Sequence, residues 1–179
     1  MGLIEAAFRF CPLCGTALRL RRVEAHELPA CPACDFVAFR DPKVVVAMIA
    51  HDPAGRVLAL RRGIAPARGE WALPGGYVDF DEHPARSAER ECWEETGCRV
   101  VAERLEGVHH VGLPHAGLIV LAYSGPVLEG IPTTGPEALE LGFFAPPALP
   151  ELAFTSHREV VAAWLAARAG ALGPSTLQG

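Results

Sequence analysis

Asparagine is absent from this 179-residue chain, glutamine occurs once, at Gln178, and lysine once, at Lys43; the other 15 basic residues are arginine. Such a skew marks genome composition, with a thermophilic source as the second reading, and assigns no function. Positive charge is also short, with 16 Lys and Arg against 21 Asp and Glu and a formal net charge of −5. That balance excludes broad, sequence-independent nucleic-acid binding. It does not exclude an anionic substrate, because a bound cation reverses the local field. No apolar run approaches the roughly 20 residues of a membrane helix. The first ten residues, with Glu5 and Arg9, carry no signal-peptide pattern, so the expected location is cytoplasmic. Wholesale disorder is excluded too, since half the residues are hydrophobic and can bury a core. The length suits one ordinary domain with a small appendage, and there is no internal repeat.

Six cysteines are present. Cys11 and Cys14 are separated by two residues, as are Cys31 and Cys34, with sixteen residues between the pairs. Two such knuckles at that interval have the spacing of a zinc site. Each is a tight turn aiming two thiolates at one point, and Zn²⁺ takes four sulfurs in a tetrahedron. Pro12 and Pro32 set the turns and Gly15 ends the first. Asp35 stands at the equivalent place in the second and tolerates the same backbone. Two disulfides are the alternative, disfavoured in a cytoplasmic chain. Four thiolates close the coordination shell, so the zinc is expected to be structural. Residues 1–41 hold five arginines and five acids; this zinc ribbon is no basic patch, and nucleic acid is not an expected partner. Cys92 and Cys98 are left as apolar filler.

Beyond the ribbon, Asp41-Pro42 marks a boundary. Residues 43–51 read as a buried strand and 56–62 as its return, joined by the Asp52-Pro53-Ala54-Gly55 turn. Residues 71–78 are extended but bent at Pro74-Gly75-Gly76. Pro84 to Thr96 is a helix, with Pro84 in its first turn and Gly97 as its stop; Ala85, Ala88 and Cys92 form its packing face. Strands are expected over 99–106, 107–111, 118–123 and 141–144, with a loop over 125–135. A last helix starts at Ser156, which with Glu159 makes a capping box, and 170–179 is a loose tail.

Glu91, Glu94 and Glu95 fall at i, i+3 and i+4 on the middle helix and share one face, where like charges repel by roughly 0.2–0.5 kcal/mol per pair. Glu82 and Glu89 add to them. One reading is a solvated acidic face; the other is a divalent-cation site of oxygen ligands, which would offset the repulsion. Gly76 is followed after five residues by Glu82, after seven more by Arg90-Glu91, and then by Cys92, Glu94-Glu95, Gly97 and Cys98. This 23-residue stretch resembles the Nudix box, with cysteine at both aliphatic positions.

The resemblance implies hydrolysis of a nucleoside diphosphate linked to another moiety. It implies an α/β fold, an α/β/α sandwich with a mixed sheet over residues 42–169, preceded by the ribbon. Glu91, Glu94 and Glu95 would hold Mg²⁺ or Mn²⁺, with a backbone carbonyl, that of Gly75. Arg90 would orient a helix carboxylate, and Glu82 would support the loop or reach a metal through water. The chemistry suits these residue types: cations neutralise a polyanionic pyrophosphate and activate water, and carboxylates are hard ligands for Mg²⁺. A further acid, Glu137 or secondly Glu140, would act as base or extra ligand. Glu94, Glu137 and Arg90 are thus the catalytic candidates; Tyr77, Arg62 and Glu140 are the candidate substrate contacts. Trp71 is expected in the core, while Phe80 is a weaker stacking candidate and His109, His110 and His115 are a histidine cluster without a zinc to hold.

Over almost the whole chain the sequence is similar to the zinc-ribbon Nudix group that includes FAD and ADP-ribose pyrophosphatases, which implies a small-molecule nucleotide substrate, AMP as one product, and a homodimer. Pro114 stands where ADP-ribose pyrophosphatases carry a marker proline. The alternatives are an NADH pyrophosphatase or RNA-cap hydrolase, although residues 108–114 lack the NADH-enzyme signature, and a nucleotide-sensing regulator with a nucleic-acid-binding ribbon.

Overall fold

The computed structural model describes residues 9–113 and 116–171. Glu5, Pro114, His115 and residues 172–179 of the expected tail 170–179 lie outside the described residues, while 170 and 171 end the last helix. Contacts divide the described residues into two compact units, with the boundary between Pro42 and Lys43 and with residues 112, 113, 116 and 117 grouped in the first.

The first unit is built on turns. Strands β1 (Arg19–Val23) and β2 (His26–Ala30) form an antiparallel hairpin, Val23 opposite His26. Isolated bridges Phe10–Ala17 and Ala30–Val37 make two smaller hairpins, each closing one knuckle: the Cys11 amide donates to Thr16 O and the Cys31 amide to Phe36 O, both at 2.8 Å. Gly15 takes the left-handed conformation at φ 73°, whereas Asp35 does not. The second knuckle therefore closes without the conformation for which Asp was considered equivalent to Gly.

The second unit is a mixed seven-stranded sheet ordered β5-β4-β3-β8-β6, with β7 on β8 and β9 on β4. Strand β3 (Lys43–His51) pairs parallel with β8 (Ala116–Glu129), Lys43 opposite Leu118 and His51 opposite Pro126. It pairs antiparallel with β4 (Val57–Arg62), which is flanked by β5 (Trp71–Ala72) and β9 (Ala138–Phe144). Because β3 is covered on both faces, its sequence is continuously apolar rather than alternating. Ala47 and Ile49 pack with Val160, Val161 and Trp164 of helix α2 (Thr155–Ala171). Val46, Met48 and Ala50 pack with Ala88 and Cys92 of helix α1 (Pro84–Thr96), and with Cys98. Both spare cysteines are thus core filler, and Trp71 packs edge-on against Phe144 at 5.0 Å.

Three expectations need correction. The region 99–111 is not two strands meeting at Gly107: β6 is only Arg99–Val100, and β7 runs Arg104–Leu113. Between them the chain runs on beside β8, with Val101 donating to Pro126 O and Glu103 to Ser124 O, and the irregular register brings it so close that a Cβ on Gly125 would lie 1.7 Å from Val101 O. Gly125 therefore permits that close pairing rather than breaking a strand, and β8 continues to Glu129 because Arg99 and Val100 pair with its far end. Last, α2 begins at Thr155, so Ser156 lies inside the first turn and makes no capping box. Glu159 instead stands 3.4 Å from His109 Nδ1, and the Arg158 guanidinium donates to the carbonyls of Leu152 and Ala153.

Candidate active site

The acidic helix is placed by its ends. His83 Nδ1 accepts the Ala85 amide at 3.2 Å, Pro84 opens the first turn, and Gly97 at φ 67° donates its amide to Trp93 O. Ala88 and Cys92 face the sheet, which turns Glu91, Glu94 and Glu95 toward the bend that precedes the helix. That bend is docked along β3: the Val46 amide donates to Gly76 O and the Met48 amide to Pro74 O, each at 2.8 Å. The intervening Gly75 carbonyl receives no hydrogen bond among the described residues. Both glycines are required by close approach. A Cβ on Gly75 would meet Val46 O at 2.1 Å, and one on Gly76 would meet the Glu91 carboxylate at 2.5 Å.

Arg90 is the hub of the acids. Its Nη2 lies 2.9 Å from Glu82 Oε2, its Nη1 2.9 Å from Glu91 Oε1 and 3.1 Å from Glu94 Oε2. Nη2 also donates to the Tyr77 carbonyl at 3.3 Å, which ties the helix to the bend. The consequences differ between partners. Glu82, bonded by both Nε and Nη2, is held below the usual carboxylate range mainly by that hydrogen bonding. Glu91 is pushed up by burial despite Arg90, with Glu94 and Glu137 adding repulsion. Glu95 is only 8% exposed. Its Oε2 accepts the Gly75 amide at 2.9 Å, yet burial, with repulsion from Glu91 and Glu137, raises it to about 7.

These groups line one end of a cleft of about 820 Å³. Gly75, Gly76, Asp79, Arg90 and the three helix glutamates are joined there by Glu137. The Glu137 loop is fixed by the Gly135 amide on Glu95 O at 2.9 Å and the Gly63 amide on Glu137 O at 2.6 Å. The other end is walled by apolar side chains including Val45, Leu73, Val120 and Phe154, with Arg62, Tyr77 and His157 among them. Arg62 donates Nε to Pro66 O at 2.8 Å and lies 5.3 Å from the centre of the Phe154 ring.

Two candidates fall elsewhere. Glu82 is bound to Arg90 outside the cleft lining, and Glu140 sits opposite Arg61 in the β4–β9 ladder, 3.7 Å from its guanidinium. Alternation along β9 directs Glu140 away from the cleft. Phe80 is fully exposed and lines no part of the cleft, and His109 and His110 are absent from it. His157 and Asp79 are the titratable lining residues that sequence spacing did not single out. His157 stands in a helix with no second chemical residue at a telling interval, so the sequence held no signal for it.

The metal question can be put to both sites. In the first unit, the sulfurs of Cys11 and Cys34 are 3.6 Å apart, those of Cys14 and Cys31 3.5 Å, and those of Cys14 and Cys34 3.9 Å. A tetrahedron of Zn–S bonds of about 2.3 Å has edges of about 3.8 Å, so four sulfurs fit one zinc. The separations are far beyond a disulfide bond of about 2.05 Å, and all six cysteines are free. The Thr16 hydroxyl and amide beside Cys14 lower that thiol to about 6, while at Cys34 the Phe36 amide is outweighed by Cys31, burial, Cys11 and Cys14, which raise it to about 12, the crowding of thiols that a shared cation relieves. In the cleft, carboxylates raise one another's proton affinity, the electrostatic state that a cation relieves. They do not converge on one point as the thiols do, which suits an ion that keeps several waters and takes one or two carboxylates.

The NUDIX domain family matches residues 41–165. A MutT-like protein from Streptomyces ambofaciens is 34% identical over 108 residues, 60% of this chain and 67% of that protein. An ADP-ribose pyrophosphatase from Methanocaldococcus jannaschii is 32% identical over 108 residues, 59% of this chain and 63% of its own length, which is less than two thirds. The solved structure of a NUDIX hydrolase from Nitrosomonas europaea superposes with a TM-score of 0.78 at 28% identity, covering 91% of this chain and 93% of that one. The fold, the acid-lined cleft and a family match over more than half the chain agree: the chain belongs to the Nudix hydrolases.

Proposed function

We propose that this Nudix hydrolase is a metal-dependent pyrophosphatase acting on nucleoside diphosphates linked to a second moiety, ADP-ribose or FAD-like dinucleotides, with AMP as one product. The observation that carries the reading is the two-ended cleft. Glu91, Glu94, Glu95 and Glu137 line it from α1 and the loop before β9, while Val45, Leu73 and Val120 line it from the core on the α2 side of the sheet. The first suits a cation-bridged pyrophosphate and the second a planar base. The resemblance to ADP-ribose pyrophosphatases supports the substrate class.

Glu91, Glu94, Glu95 and the Gly75 carbonyl would hold Mg²⁺ or Mn²⁺, which when bound neutralises the pyrophosphate and lowers the barrier to attack by water. Arg90 holds Glu91 and Glu94 in place, and Glu82 holds Arg90. Glu137 accepts the proton of the attacking water as the new P–O bond forms and the anhydride P–O bond breaks. Arg62 and Tyr77 contact the substrate. The ribbon, residues 1–41, would bind one structural Zn²⁺ through Cys11, Cys14, Cys31 and Cys34, apart from the hydrolase domain of residues 42–169. A homodimer acting in the cytoplasm completes the reading. Among the described residues no helix is long and apolar enough to cross a membrane.

The test is a panel of ADP-ribose, FAD and NADH with and without Mg²⁺, scored by chromatography for AMP. Metal-dependent AMP release is expected, with Glu91→Gln slower by roughly 100-fold, the rate equivalent of about 3 kcal/mol. Turnover unchanged by Glu91→Gln or by metal removal would refute the assignment.

A further inference from the structure

His157 is a buried histidine that the proposed mechanism does not use. Its side chain lines the apolar end of the cleft and is 8% exposed. The Leu73 amide donates to Nδ1 at 3.2 Å, so Nδ1 carries a lone pair and the neutral ring holds its proton on Nε2. The imidazole makes its hydrogen bond through Nδ1 and none through Nε2 among the described residues. No fully buried side-chain nitrogen or oxygen among them lacks a partner either, so Nε2 keeps its small exposure, and the opening His157 lines is the cleft. Burial, with Arg62 and His109 nearby, lowers the imidazole to about 4, so at neutral pH it is an uncharged donor of fixed tautomer. Phe154 supports the ring edge-on at 5.0 Å. The neighbouring Arg62 has its Nε on Pro66 O and keeps Nη1 and Nη2 for the charged part of the substrate.

A neutral N–H on an apolar wall is the arrangement that orients a ligand carrying an acceptor and flat apolar faces. A sugar rich in hydroxyls would leave its own donors unpaired against Val45, Leu73 and Val120. We infer that His157 is a specificity residue, whose Nε2–H donates to a ring nitrogen or carbonyl on the base of a nucleotide seated in the apolar half of the cleft. This rests on the pyrophosphatase reading above, and it assigns the base-bearing half of the substrate to this end.

Two near-isosteric substitutions separate the ring's two bonds. His157→Asn places an amide oxygen near Nδ1, keeps the Leu73 bond and withdraws the cleft donor. His157→Gln carries an amide N–H to the Nε2 position and gives up the Leu73 bond. Calorimetric binding of AMP and of ribose 5-phosphate, both with Mg²⁺, isolates the base, because only AMP carries one. His157→Asn should weaken AMP about tenfold, the worth of one hydrogen bond, and leave ribose 5-phosphate unchanged. His157→Gln should hold AMP near wild type while melting earlier. AMP affinity indifferent to His157→Asn, or equal weakening of both ligands, overturns the inference. Turnover of ADP-ribose is scored separately. Turnover with AMP binding indifferent to position 157 refutes the subsite and spares the pyrophosphatase reading, whereas donor-dependent AMP binding without turnover of any dinucleotide refutes that reading and supports the subsite.

Discussion

Replacing Glu95 with glutamine should stabilise the metal-free protein at alkaline pH while disabling it. The carboxyl is buried and raised from its ordinary value near 4.5 to about 7, so the folded chain holds a proton that the unfolded chain has already released. Between those two values the native state binds more protons, and stability falls as pH rises. At about 1.36 kcal/mol per unit, the loss accumulates to about 3 kcal/mol by pH 8. The substituted amide is neutral throughout and can still accept the Gly75 N–H. Wild type and Glu95→Gln should therefore match near pH 5 and diverge by up to about 3 kcal/mol at pH 8, with the variant the more stable. Trp71, Trp93 and Trp164 all lie in the hydrolase unit, so urea unfolding followed by tryptophan fluorescence in magnesium-free buffer reports on it. Saturating Mg²⁺ should close the gap, because the cation favours the ionised wild-type carboxyl. Parallel pH profiles, or a variant weaker at pH 8, would refute the reasoning.

Gly76→Ala sets a Cβ 2.5 Å from the Glu91 carboxylate, the movable end of a side chain; kcat/KM should fall by about 100-fold with the melting temperature nearly unchanged. Gly75→Ala meets the Val46 carbonyl at 2.1 Å, a backbone atom that cannot swing away, so it should lower the melting temperature instead. Elemental analysis should find one zinc per chain, and none in Cys31→Ser, whose turnover in the remaining folded fraction should stay close to wild type. Zinc loss that abolishes turnover at once, with fold unchanged, would give the ribbon a part in the chemistry.

What was legible in the sequence was what local rules control. The helix 84–96 is bounded by a proline and a left-handed glycine, both visible in the sequence and both independent of the rest of the fold. The knuckles and the apolar strand 43–51 are of the same kind. The errors came where a distant segment decided. Gly125 looked like a breaker, but its meaning depends on the Val101 carbonyl pressed against it from the neighbouring segment. Ser156 with Glu159 looked like a cap, but Arg158 holds the carbonyls just before α2, and Glu159 stands beside His109. Within the cleft, box spacing placed Glu91, Glu94 and Glu95 on one face. It could not show that Glu140 alternates away from Glu137, or that His157 arrives from the last helix to meet Leu73 in the bend 84 positions earlier.

The acids of the cleft differ in how much compensation they receive, and that difference explains how a single arginine can serve a cation site without filling it. Arg90 gives two of its nitrogens to Glu82, outside the cleft lining, and one shared nitrogen to Glu91 and Glu94 within it. Glu95 receives none, only an uncharged amide from Gly75. Accordingly Glu82 is strengthened as an acid while Glu91 and Glu95 are weakened. The guanidinium anchors the loop and leaves the cleft with uncompensated negative charge, most of it made costly by burial. Moving Arg90 fully onto Glu91 and Glu95 would satisfy the free protein better and remove the reason for a divalent ion to enter. The free protein is thus held in a state that a cation improves, and the same cation turns an acidic cleft into a seat for a pyrophosphate.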